Sequence, residues 1–88
     1  MDVVVIERNH DNMYVTIPCN MLTSPIAQML KICSESVMVN LVSNTAIFQA
    51  ELCFYAIFVM DCHKHDVAFE ENSVQDTFSC CCLCKHKK

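Results

Sequence analysis

Eighty-eight residues, 53% of them hydrophobic and with a mean hydropathy of +0.29, make one small domain at most. Such a chain must bury its apolar groups in a core, against a partner or on a membrane. The net charge is −4 and only six residues are Lys or Arg, three of them (Lys85, Lys87, Lys88) in the last four positions, which argues against a nucleic-acid partner.

The opening "MDVVVIER" has an acid at position 2 and only four consecutive apolar residues, so it does not read as a signal peptide. The eight cysteines are then expected as thiols in a reducing compartment, cytoplasmic or nuclear. "VVVIE" (Val3–Glu7) and "MYVTI" (Met13–Ile17) are β-branched runs joined by the turn-prone "RNHDN", which predicts a β-hairpin. Pro18 has no amide for the ladder and ends the second strand. Cys19 to Thr23 can form a short turn. Ser24 then suits a helix N-cap and Pro25 the first helical position, with Ile26, Met29, Leu30 and Cys33 on one face.

"VMVNLV" (Val37–Val42) predicts a third strand, and Ser43, Asn44 and Thr45 offer caps for a long apolar helix over Ala46–Met60. On that helix Phe48, Leu52, Tyr55 and Val59 form one stripe and Ile47, Phe54 and Phe58 another. A helix apolar over most of its circumference is central to its domain or touches a partner on a second face. With Gln49 and Glu51 inside it and fewer than the roughly 18 apolar residues a span wants, it reads as buried rather than membrane-crossing. Residues 67–78 are acidic and without clear period, and "SCCCLCKHKK" is a biased, disorder-prone tail. The expected class is α+β: a small three-stranded sheet with an N-terminal hairpin, packed on two or more helices. The domain spans residues 1–66 and a tail spans residues 67–88.

Several residues invite chemistry. "DCHKHD" groups Cys62, His63 and His65, and the tail offers Cys80, Cys81, Cys82, Cys84 and His86. Only Cys81 with Cys84, and loosely Cys82 with His86, have the spacing that curls round a zinc ion, and adjacent cysteines point apart, so no metal and no other cofactor is expected. Cys80, Cys81, Cys82 and Cys84 beside lysines also suit acylation of a membrane-held tail, although the C-a-a-X pattern is not met. Cys62 and His63 are sequence neighbours whose side chains diverge, and there is no glycine to form an anion-cradling loop, so an enzyme is not expected. Met21, Met29, Phe54 and Phe58 are available for a core or an interaction surface.

Three stretches carry a family likeness. "LTSPIAQML" (Leu22–Leu30) resembles the Leu-Thr-Ser then Ile-x-x-Met-Leu pattern of the Skp/elongin C family, the BTB/POZ-fold adaptors of cullin ubiquitin ligases. One residue here separates Ser24 from Ile26 where that family has two. "VNL" (Val39–Leu41) is similar to its third strand, and "ELCFY" (Glu51–Tyr55) to its Lys-Val-Cys-Met-Tyr at the family's spacing, leaning towards the elongin C branch. The likeness covers residues 3–60. The chain departs from the pattern in its short "KICSES", in Asn44-Thr45 where the family has Ile-Pro, and in lacking the Ala-Ala-Asn-rich C-terminal helix that helps hold a substrate receptor.

The resemblance implies a protein–protein adaptor in ubiquitin-dependent degradation. Its sheet edge would engage a ubiquitin-like, elongin B-type companion and its helical surfaces a cullin, with receptor recruitment lost. Carried over, it places Val39, Asn40 and Leu41 in the sheet, Leu52, Cys53 and Tyr55 on the long helix, and Ile26, Met29 and Leu30 on the helix beside it. Tyr55, Phe58 and Met60 are its interface candidates. The rival expectation is a small membrane-associated protein with an apolar helix over residues 46–60 and an acylated tail.

Overall fold

A computed structural model describes residues 3–72 of the chain. The element order is β1 (Val4–Arg8), β2 (Asn12–Pro18), a 3-10 turn (Cys19–Met21), α1 (Pro25–Cys33), β3 (Ser34–Asn40), β4 (Thr45–Glu51), a second 3-10 turn (Leu52–Phe54), α2 (Tyr55–Lys64) and β5 (Phe69–Glu71). Among the described residues five strands form one mixed sheet in the order β3-β4-β2-β1-β5, in which only the β1–β5 pair is parallel.

The hairpin forms where the two β-branched runs predict it, with Val5 opposite Thr16 and Ile6 opposite Val15. The Asn9 side chain accepts from the amides of Asp11 and Asn12, which lets the turn close without glycine. α1 also starts as its residues dictate: Ser24 Oγ accepts from the Ala27 amide at 3.3 Å and donates to the Met21 carbonyl at 2.6 Å, and Pro25 sits at N1.

The long apolar helix expected over Ala46–Met60 does not form. Its first part is β4, the residues 52–54 make a 3-10 turn, and helix α2 begins only at Tyr55. The cause is periodicity: Ala46, Phe48 and Ala50 are buried and alternate with half-buried Ile47 and Gln49, the period of two that a strand needs. A turn closes this second hairpin. Asn40 Oδ1 accepts from the amides of Val42 and Ser43, and Asn44 takes the left-handed conformation (φ 58°) that asparagine tolerates. Ser43 and Thr45, expected as helix caps, instead share a hydroxyl–hydroxyl hydrogen bond across that turn. The third strand starts earlier than expected, at Ser34 directly after α1, with a bulge at Ser34–Ser36, and it ends before Leu41.

The described residues therefore form a sheet of five strands rather than three. The fifth arises from residues 69–71, where the sequence shows no period. Val4 pairs with Phe69 and Ile6 with Glu71. Arg8, Tyr55 and Glu71 fasten this strand to β1 and to the start of α2. The Arg8 guanidinium lies 4.3 Å over the Tyr55 ring, Arg8 Nη2 meets Glu71 Oε1 at 2.8 Å, and the Tyr55 hydroxyl donates to Glu71 Oε2.

Both helices cover the same face of the sheet. Val4, Ile6, Met13, Val15, Ile17, Ala46, Phe48 and Ala50 form the sheet side of the core, capped by Ile26, Ala27 and Leu30 of α1, by Leu52, and by Phe58 and Cys62 of α2. No polar or charged residue is buried among the described residues. The opposite face, with Val5, Tyr14, Thr16, Ile47 and Met38 on it, carries no layer of its own among the described residues.

Candidate interaction surface

Among the described residues β3 is one margin of the sheet, hydrogen-bonded to β4 on one side only. It follows α1 without a linker, and no helix among the described residues lies above its outer half, so six of its seven residues, Glu35 to Asn40, are exposed. The apolar ones are large: Val37 is 53% exposed, Met38 68% and Val39 50%, and the turn beyond adds Leu41 at 86% and Val42 at 98%. Register fixes where they point. Val37 and Val39 pair with core-facing Phe48 and Ala46, so they belong to the helix side of the sheet, whereas Met38 pairs with Ile47 on the open side.

Beneath the start of this edge, between the end of α1 and β3, lies a cleft of about 210 Å³ lined by Lys31, Ser34, Glu35, Ser36, Val37 and Phe48. Its floor is the edge of Phe48 and its rim is charged. The Ser34 hydroxyl is buried at this place with no hydrogen-bond partner. Lys31 Nζ reaches back to the Leu22 carbonyl at 2.9 Å, which holds the last turn of α1 against the segment before its cap. A strand edge left unpaired by the described residues, with a cleft at its start, is a geometry that accepts an added strand: the backbone supplies hydrogen bonds and the cleft takes a side chain.

A second apolar strip lies on α2, where Ile57 and Met60, three residues apart, are 54% and 69% exposed. Of the three interface candidates from the sequence, Met60 is thus presented to solvent. Tyr55 is half-buried under Arg8, and Phe58 is fully buried in the core, where it supports the sheet rather than a partner. Val39 and Asn40 end β3 as sheet residues, but Leu41 is in the turn. Leu52 and Cys53 are in the 3-10 turn, not on a helix, and Tyr55 opens α2. Ile26 and Leu30 of α1 are buried and Met29 is half-buried against them.

The remaining chemical candidates do not converge. Cys62 is buried in the core, and burial, reinforced by neighbouring Asp61, pushes its thiol from an ordinary 9.0 up to about 11, the state of an unreactive core cysteine. His63 packs edge-on against Phe69, with ring centroids 5.6 Å apart. Among the described residues no group of three or more His, Cys, Asp or Glu is placed to hold a metal ion, and no helix is long and apolar enough to cross a membrane. The apolar helix over 46–60 on which the membrane reading rested is replaced by β4, the 3-10 turn and the start of α2. Cys80, Cys81, Cys82 and Cys84 lie outside the described residues.

The strand expected over Val37–Val42 coincides with β3 only over 37–40, and the sequence reading missed the open edge and its cleft. The available signal was compositional: "SESVMVN" has one charge and neither Lys nor Pro, the residues that commonly guard an exposed edge. Comparison with known protein families, curated proteins and solved structures returned no match.

Proposed function

We propose that this chain is a protein-binding adaptor, and that it docks through the β3 edge with its tip and through the Ile57–Met60 strip of α2. The observation that carries the reading is the set of eight large apolar residues exposed among the described residues, five of them within the six positions from Val37 to Val42. Each fully exposed side chain of this size forgoes roughly 1.5–3 kcal/mol that burial would supply, so a partner surface is the physical complement. Scattered apolar residues need no such account, but a run along an unpaired strand does.

In its specific form the proposal is an adaptor of the Skp/elongin C type in a cullin ubiquitin ligase. The words "LTSPIAQML", "VNL" and "ELCFY" support it, as does the division of exposed apolar surface between a sheet edge and a helix. Strand β4 stands where that likeness calls for helix, so "ELCFY" falls on a strand end, a 3-10 turn and the first residue of α2. The test is purification of the tagged full-length chain from cytosol without detergent, followed by identification of stoichiometric partners. A cullin or an elongin B-type ubiquitin-like protein, lost on Met60→Lys or on Val39→Lys, is the expected result. Neither protein in stoichiometric amount, with the bait recovered alone, would remove the ubiquitin-ligase reading.

A further inference from the structure

We propose that the β3 edge is taken by β3 of a second copy of this chain, paired antiparallel about a two-fold axis at Met38. The inference rests on the reading of β3 as a docking edge and names its occupant.

Three observations point to a second copy. Among the described residues the two margins of the sheet are unlike. β5 is three residues long and carries Glu70 and Glu71, a short and acidic edge, whereas β3 has seven residues and only Glu35 as a charge. A sheet with one guarded and one unguarded edge can pair once through the open edge and then stop, which gives a closed dimer rather than a fibre.

The sequence of β3 is also complementary to itself in one register. With Met38 opposite Met38, Val37 faces Val39 on the helix side, and Ser36 faces Asn40 on the open side. Like meets like in polarity at these central pairs. Glu35 is then level with Leu41 of the other copy, so the two Glu35 carboxylates stand six residues apart along the strands, about 20 Å. A slip that centres the pair on Val37 sets Met38 against Ser36, and one that centres it on Glu35 opposes two like charges.

Finally, knob and hole are placed symmetrically. Glu35 on the rim of the cleft and Leu41, the 86%-exposed residue just past the strand, lie three positions either side of Met38. The two-fold axis at Met38 brings Leu41 of each copy to the cleft of the other, twice over. Because residues of equal parity pair, both copies keep their helices on one side of a continuous ten-stranded sheet, and the Met38 side chains meet on the other.

The experiment is the solution mass of the purified full-length chain under reducing conditions, by sedimentation and light scattering at micromolar concentration. The wild-type chain is expected at twice its 10.0 kDa mass. Met38→Glu and Met38→Lys, which place like charges at the axis, are each expected at one chain mass with unchanged circular dichroism, since Met38 is largely exposed. Mixing the two variants in equal amounts is expected to restore the dimer. A wild-type chain at single mass, a dimer that survives both charge variants, or a mixture that stays monomeric would each overturn the proposal. The adaptor reading fails separately. A monomer that captures an elongin B-type protein through β3 ends the second-copy inference and leaves the adaptor, whereas a Met38-dependent dimer that recruits no ligase component does the reverse.

Discussion

Replacing Phe48 by alanine probes whether residues 45–51 are a strand, the point on which the architecture turns. Phe48 is 2% exposed, sits in β4 between Val15 of β2 and Val37 of β3, and forms the floor of the cleft. Its neighbour Ile47 is half-buried on the uncovered face. Truncating a buried Phe to Ala costs about 3–5 kcal/mol, the transfer term plus the cavity it leaves. At roughly 0.05–0.15 kcal/mol per residue, the 70 described residues hold about 4–10 kcal/mol in all. Phe48→Ala therefore removes a third or more of the stability. With a urea slope near 1 kcal/mol per molar for so small a domain, the midpoint falls by about 3 M or to zero. Ile47→Ala loses partial contacts on an open face and is expected to cost about 1 kcal/mol. In a helix the two residues would sit 100° apart, on the two apolar stripes of a helix apolar over most of its circumference, and their costs would be alike. Paired urea titrations followed by circular dichroism measure the difference. Equal costs, or a larger cost at Ile47, would falsify the assignment of β4.

Ser24→Ala removes the acceptor for the Ala27 amide and should lower stability by about 1 kcal/mol, read as a fall of roughly 4–8 °C in Tm. Arg8→Lys keeps the charge but loses the planar group that lies over Tyr55 while meeting Glu71, so amide exchange at Phe69–Glu71 should quicken in this variant as it does in Arg8→Ala. Protection equal to wild type in Arg8→Lys would show that β5 is held without the stack. For Cys62, the fold raises the pKa from 9.0 to about 11, so its contribution is fully present below pH 9 and is lost as pH climbs towards 11. The loss is on the order of 2 kcal/mol. Denaturation midpoints should therefore fall more steeply between pH 9 and 11 in the wild type than in Cys62→Ala, and parallel slopes would refute the burial argument.

Much of this protein is settled locally and could be read from its residues. The β-branched runs at 4–8 and 12–18 pair because nothing but an Asn-rich turn separates them, and α1 starts at Ser24 because its hydroxyl and Pro25 suit that position wherever the helix lies. The α+β class follows from these elements. The interval from 45 to 60 is different. Its apolar residues satisfy a helical stripe and a strand's alternation at once, and local propensity does not choose between them.

Tertiary pairing makes the choice. β2 offers a bare ladder and β3 another, and a strand at 45–51 satisfies backbone groups on both sides while setting Ala46, Phe48 and Ala50 against the helices. The small alanines flank Phe48, so the covering helices can approach the sheet. β5 has still less local signal. Three residues hold a strand there because Val4 and Ile6 supply the partner backbone and Arg8 supplies the anchor. The exposed edge is likewise a fact of the assembled sheet. Val37 to Val39 look like core in the sequence, and they become surface because, among the described residues, β3 ends the sheet beyond the reach of either helix. Local propensities and turn chemistry thus determined the first hairpin and the first helix, while sheet order, set by which backbone groups remained to be paired, decided what the rest of the chain became and which of its apolar residues face outward.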